Sequence, residues 1–128
     1  MKYILPFFLI AFVLGNFSVN AQQTHASLAE HSANNAGSDF TFFKTVISKD
    51  RVTLDWAVGN NGDADRFEVE RSADGKNFKM IALVFTSEDD GAANYSYFER
   101  LKNKKQYYRL KKISKDQKVE YSGVVVVE

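Results

Sequence analysis

The chain has 128 residues, 17 of them basic and 16 acidic, and it contains no cysteine. Its formal net charge of +1 gives no general argument for binding to nucleic acid or to an anionic membrane. The lack of cysteine excludes disulfides and a cysteine-linked lipid, so stability must come from a hydrophobic core. A chain of this length is expected to form one domain rather than two.

The first 21 residues predict a secretory signal peptide. Lys2 supplies the positive charge, residues 4–14 form an apolar run, and Val19-Asn20-Ala21 fits the small-residue pattern before a cleavage site. The apolar run is shorter than the roughly 20 residues that a membrane span needs, so an uncleaved anchor is the less favoured alternative. We therefore expect export to the periplasm or the outside, with no membrane span after cleavage.

Residues 22–38 predict a flexible leader. They are rich in Ala, Ser, Asn, Gln and His, and Leu28 is their only large apolar residue. Such a segment buries too little apolar surface to offset the entropy lost on ordering. A transient helical turn over residues 26–33 is compatible with this composition.

From residue 39 onward the pattern is that of β-strands. Apolar and polar residues alternate over residues 52–58, and turn-forming residues separate this segment from its neighbours. The predicted strands cover residues 40–47, 52–58, 67–71, 78–85, 95–98, 107–113 and 119–127. Seven short strands without a helical period predict an all-β protein, a seven-stranded antiparallel β-sandwich that forms one domain over residues 39–128.

Alternation within these strands also predicts which side chains are buried. Trp56 lies on the apolar face of its strand and is expected to centre the core. The other predicted core residues are Leu54, Phe67, Val69, Phe78, Ile81, Leu110 and either Tyr107 or Tyr108. Parity favours Tyr108, whereas a bulge would exchange the two tyrosines. Leu101 precedes them by about the spacing of a tyrosine corner.

The same parity predicts the outer face of one sheet. Glu68 and Glu70 are expected to face Arg109 and Lys111 across adjacent strands. Opposite charges in such cross-strand pairs stabilise a sheet by about 0.2–1 kcal/mol each.

Several of these segments together resemble a known family. They are Trp56, the sequence Phe-Glu-Val-Glu-Arg-Ser at 67–72, Asp-Gly-Lys-Asn-Phe at 74–78 and Tyr-Tyr-Arg-Leu-Lys at 107–111. Over residues 43–127 the chain resembles the fibronectin type III-like domain of secreted Bacteroidota proteins. The resemblance implies an immunoglobulin-like sandwich and no particular ligand.

Two departures from that family stand out. Its members often carry Glu in the loop after the tryptophan, where this chain has Asn61. The family's domain often precedes a C-terminal sorting domain for type IX secretion. This sequence stops at Glu128, directly after the last predicted strand, so secretion by that tag is not expected.

The sequence predicts no catalytic, cofactor or metal site. The only histidines, His25 and His31, belong to the leader and are not spaced for one helical face. Residues 39–128 contain no histidine that could activate a serine as a nucleophile. Residues 88–90 are acidic but lack the ligand spacing of a calcium loop. We therefore do not expect an enzyme.

Basic residues are concentrated late in the chain, where residues 100–118 hold nine of them and a single acidic residue, Asp116. One interpretation is a docking patch for an acidic partner. The other, favoured by overall neutrality, is a solvated face opposite the acidic strand at 67–71. If any residues dock a polyanion or partner, we expect Lys102, Lys104 and Lys105, which have no obvious acidic neighbour.

These observations favour an exported, non-enzymatic interaction or adhesion module that binds a protein or a cell-envelope component. The alternative is a carbohydrate-binding module for extracellular glycans, in which outward tyrosines would form the binding platform. An envelope glycan or a protein is the expected partner, and nucleic acid is not. The sequence names neither the ligand nor the oligomeric state.

Overall fold

The computed structural model describes residues 29–34 and 37–128, which form nine β-strands. The strands are β1 (Ala29–Ser32), β2 (Phe40–Ser48), β3 (Arg51–Val58), β4 (Ala64–Ser72), β5 (Lys79–Phe85), β6 (Ala93–Arg100), β7 (Gln106–Ser114), β8 (Val119–Tyr121) and β9 (Val125–Val127). The predicted signal peptide, and residues 22–28, 35 and 36 of the predicted leader, lie outside the described residues.

The strands form two antiparallel sheets packed face to face. The first sheet has the order β1-β2-β3-β6, and the second has the order β5-β4-β7-β8, with β9 also paired to β7. The protein is therefore all-β, an immunoglobulin-like β-sandwich, which confirms the predicted fold class. The strand predicted over residues 119–127 is two strands, because the chain shifts along β7 between Tyr121 and Val125.

The sandwich begins earlier in the chain than the sequence predicts. Strand β1 lies within the predicted leader and pairs with β2, with His31 opposite Thr45. The expected helical turn is wrong for this stretch, because pairing satisfies the backbone along the edge of β2. The Ala33 N–H continues the contact by donating to the Phe43 carbonyl at 2.9 Å.

Aromatic rings fill the centre of the core. Trp56 is fully buried, stacks on Tyr95 at 5.6 Å between ring centroids, and meets Phe67 edge-on at 5.8 Å. Also fully buried are the following residues, which the sequence analysis placed in the core: Leu54, Phe67, Val69, Tyr108 and Leu110. The core thus joins both sheets around one tryptophan.

Phe78 is not part of this core, contrary to the sequence analysis. A bulge in β5 causes the difference: Val69 pairs with Ala82, but Glu70 pairs with Met80, so Ile81 is the extra residue. The bulge reverses the parity of everything before it, and Phe78 emerges on the outer face. Its ring packs there under the Arg109 guanidinium at 4.1 Å.

The outer face of the second sheet carries the predicted charge pairs. Arg109 Nε lies 2.6 Å from Glu70 Oε2, and Lys111 Nζ lies 2.9 Å from Glu68 Oε2. The hydrogen bond to Glu68 raises the pKa of Lys111. Tyr121 covers the other side of Arg109 at 4.3 Å, so this face is both neutralised and packed.

Candidate functional site

The loops gather at two opposite ends of the sandwich. At one end the Leu101 N–H donates to the Asp50 carbonyl, and at the other the Lys115 N–H donates to the Asp63 carbonyl. The first, the basic end, consists of residues 49–51, 71–79, 99–105 and 128. The second, the acidic end, consists of residues 37–39, 59–66, 86–92 and 112–120.

The two ends carry opposite charge. Nine basic and four acidic residues lie at the basic end, whereas eight acidic and four basic residues lie at the acidic end. The described residues contain equal numbers of acidic and basic side chains. A domain without net charge is therefore polarised along the direction of its strands.

Most of the positive charge at the basic end is unpaired. Three ion pairs form there: Arg71 with Glu99 at 2.7 Å, Arg100 with Asp50 at 3.1 Å, and Lys105 with Glu128 at 3.1 Å. Six basic side chains make no ion pair with any described residue: Lys49, Arg51, Lys76, Lys79, Lys102 and Lys104. This surplus faces solvent.

The three lysines singled out in the sequence lie together in the β6–β7 loop, and all three are exposed. Lys105 differs from the expectation, because it does have an acidic neighbour. Strand β9 pairs Val127 with Gln106, which brings Glu128 beside Lys105, and the resulting hydrogen bond raises the pKa of Lys105. Lys102 and Lys104 are the free pair of this loop.

A buried polar network supports the lysine loop from below. Gln106 is fully buried, and its amide is oriented so that Oε1 accepts from the backbone N–H groups of Lys102 at 3.0 Å and Asn103 at 2.9 Å. Its Nε2 donates to Tyr108 Oη at 3.1 Å. The loop is thereby fixed to the core, so its two lysines project from an ordered backbone.

The network crosses from one sheet to the other. Tyr108 Oη, on β7, donates to Glu99 Oε1, on β6, at 2.8 Å, and Arg71, on β4, donates to both Glu99 oxygens at 2.7 Å. Burial and the hydrogen bond to Glu99 raise the pKa of Tyr108 above its ordinary value. Alternation within β7 indicates the buried tyrosine but none of its partners on β4 and β6, because those lie on other strands.

The β4–β5 turn forms the other wall of the basic end. Asp74 accepts hydrogen bonds from the backbone N–H groups of Asn77 at 2.8 Å and Lys76 at 2.9 Å, which hold the pKa of its carboxyl well below the usual range. Gly75 has a φ of +74°, and a side chain there would press on the Tyr107 ring. A shallow hollow of about 350 Å³ lies between this turn and Asn103 of the lysine loop.

At the acidic end, three of the eight acidic side chains form ion pairs: Asp39, Asp65 and Glu120. Lys112 Nζ, only 6% exposed, lies 2.5 Å from Asp39 Oδ2 and 3.7 Å from Glu120 Oε2. The Asp39 N–H also donates to Glu120 at 2.7 Å. A polar hollow of about 490 Å³ opens beside this group. Lys112 thus ties the chain before β2 to strands β7 and β8.

Asn61 has a structural position in the acidic end. Its side chain is 2% exposed and donates to the carbonyls of Ser87 at 3.0 Å and Asp89 at 2.6 Å. Its Oδ1 accepts from Tyr95 Oη. These bonds fix the acidic β5–β6 loop to the core, so this position stabilises the fold here.

The tyrosines do not form an outward platform among the described residues. Tyr95, Tyr97 and Tyr108 pack in or against the core. Tyr107 contacts the β4–β5 turn, and Tyr121 is stacked on Arg109. Among the described tyrosines only Tyr121 is strongly exposed, at 44%.

Within residues 29–34 and 37–128, no cluster of three or more His, Asp or Glu side chains could hold a metal ion. Nor does this part contain a helix of the length and apolarity that crossing a membrane requires.

Comparisons with protein-family models, with curated proteins and with solved structures find no significant match to this chain.

Proposed function

We propose that this chain is an exported, non-enzymatic interaction module that binds an acidic protein or cell-envelope component through its basic end. We also propose that it is related to the fibronectin type III-like domains of secreted Bacteroidota proteins, which its sequence resembles. Its location would be the periplasm or the outside, as the pattern of residues 1–21 suggests.

The segregation of charge carries this proposal. Six basic side chains without ion pairs share one end of a neutral domain, and the four acidic residues there are occupied by Arg71, Arg100, Lys105 and the β4–β5 turn. Such a field attracts acidic partners and speeds their association. Because Gln106 fixes the lysine loop, binding costs less ordering entropy than it would for a mobile loop.

Binding to heparin and to lipopolysaccharide, with neutral dextran as the reference, tests the proposal. The purified protein should bind both polyanions and not dextran. Affinity should fall as salt rises, because the screening length is only about 8 Å at 0.15 M ionic strength.

Two double variants separate the site from general charge. Lys102→Ser with Lys104→Ser should weaken polyanion binding severalfold. Lys115→Ser with Lys118→Ser removes the same charge from exposed loop positions at the acidic end, and it should leave binding nearly unchanged. Equal losses of polyanion affinity in both variants would show that the basic end is not the binding site. A wild type without salt-sensitive binding would show the same.

A further inference from the structure

The free edge of the second sheet has an unusual outer surface. Among the strands of residues 29–34 and 37–128, β5 pairs only with β4, so alternate backbone N–H and C=O groups along its other side have no partner in any of these strands. Its outward side chains are Met80, Leu83 and Phe85, which are 56%, 43% and 71% exposed. From residue 80 to residue 85 the strand contains no charge and no proline.

The other long edge strand is protected in the usual way. On β6 the outward positions beside Phe98 are the polar Asn94 and Ser96 and the charged Arg100. Polar and charged side chains on an edge discourage pairing with another chain. Strand β5 has only Lys79, at its first residue, and the bulge at Ile81.

We propose that β5 pairs antiparallel with β5 of a second copy of this chain, which joins the two second sheets into one. The same strand serves both partners, so the contact is two-fold symmetric and closes at a dimer. The outward rows of Met80, Leu83 and Phe85 from the two copies then form one apolar patch.

Charge complementarity identifies a second copy as the occupant. Strand β5 runs from the basic end at Lys79 to the acidic end, where Glu88 follows it closely. Antiparallel pairing therefore sets Lys79 of each copy opposite the end of the other β5, on the side where Glu88 follows. Neither side chain has an ion pair with a described residue of its own copy. The same arrangement lays the whole basic end of each copy beside the acidic end of the other.

The neighbouring surface does not oppose this contact. Met80 and Leu83 border Glu70 and Glu68 on β4, and both carboxylates are already neutralised by ion pairs with β7. A second copy thus meets an apolar rim beside a neutralised face.

Sedimentation of the full protein over a range of concentrations tests the inference. The wild type should form a dimer, and Leu83→Lys should be monomeric with an unchanged circular dichroism spectrum. Phe98→Lys places the same charge on the outer face of β6 and should still dimerise. Equal weakening by both variants, a wild type that stays monomeric, or growth beyond a dimer would overturn the proposal.

A charge exchange tests the antiparallel arrangement itself. Lys79→Glu alone and Glu88→Lys alone should each raise the dimer dissociation constant about tenfold, because like charges then face each other twice. The double variant should restore wild-type dimerisation. A double variant as weak as the single ones would overturn the antiparallel pairing.

Discussion

The basic and acidic ends contain similar numbers of charged residues but use them differently. At the acidic end, Lys112 is buried between Asp39 and Glu120, and the backbone holding the acidic loop is fixed by Asn61. At the basic end, the buried Gln106 binds the backbone of the lysine loop, and the lysine side chains themselves are exposed. The acidic end also has side chains that form no ion pair with a described residue: Asp63, Glu88, Asp89, Asp90 and Asp116. The comparison teaches that the two ends differ in the sign of their unpaired charge, and that only the acidic end uses a buried cation to hold its strands together.

The largest effect on stability should come from the core that both ends share. Trp56→Ala should lower the free energy of unfolding by about 3–5 kcal/mol, because it removes a fully buried side chain that contacts both sheets. Denaturant unfolding followed by circular dichroism measures this loss. Hydrogen exchange should show weaker protection at both ends together. If only one end lost protection, the two ends would be separate folding units, which would contradict a core shared by both.

The next largest effect should distinguish the two ends. Lys112→Met should cost about 2–3 kcal/mol of unfolding free energy, since it leaves two carboxylates facing each other without a cation. This loss is at or below the roughly 3–5 kcal/mol that breaking a fully buried ion pair costs, because both carboxylates are partly exposed to solvent. Lys102→Met is the matched change at the basic end and should stay within about 0.5 kcal/mol. Similar losses in chemical denaturation would contradict the difference drawn between the ends.

A smaller effect should depend on pH and belong to the basic end. The Asp74 carboxyl has a pKa below its usual value of 3.8 because the turn donates hydrogen bonds to it. Its contribution to stability is therefore present above pH 3.8 and is lost as the pH falls toward the folded pKa. Asp74→Asn should melt at a lower temperature than the wild type at neutral pH, and the gap should begin to narrow below about pH 4 and keep narrowing as the pH falls further.

Thermal melts of both proteins across this pH range provide the measurement. Asp89→Asn is a suitable control, because the exposed Asp89 carboxylate accepts no hydrogen bond from a described residue. It should show no comparable gap at neutral pH. A gap for Asp74→Asn that persists at low pH would mean that the turn depends on shape rather than on the carboxylate charge.

The smallest effect on stability should accompany a large effect on binding. Lys102→Ser with Lys104→Ser should change the unfolding free energy by no more than about 0.5 kcal/mol, because both side chains are exposed and unpaired. Chemical denaturation in parallel with the polyanion assay measures both quantities. A marked loss of stability would show that these lysines support the fold.

Local alternation was enough to find much of this structure. Trp56 and Tyr108 follow the period of two within their strands, and the pairing of Glu70 with Arg109 follows from strand adjacency. Phe78 could not be placed in this way, because one extra residue at Ile81 reverses the parity before it. The bulge has no signature in that apolar run.

The remaining features depend on contacts between distant parts of the chain. Strand β1 has a polar sequence because it is held by backbone pairing with β2 and buries little of its own side-chain surface. Gln106 and Glu99 look like surface residues until Tyr108 and the lysine loop meet them in space. Glu128 neutralises Lys105 only because β9 runs back along β7. No local pattern predicts such neighbours.

The glycine at 123 sets a condition on when this domain can finish folding. A side chain there would collide with the carbonyl oxygen of Asn34, so the segment after β1 runs tightly against the link between β8 and β9. Val125 and Val127, just beyond it, complete the core. The contact between the first and last strands therefore needs residues from both ends of the domain, and it should form late in folding. Folding dominated by such distant contacts is slow, and a growing chain could not complete this sandwich until residues 123–127 had been synthesised.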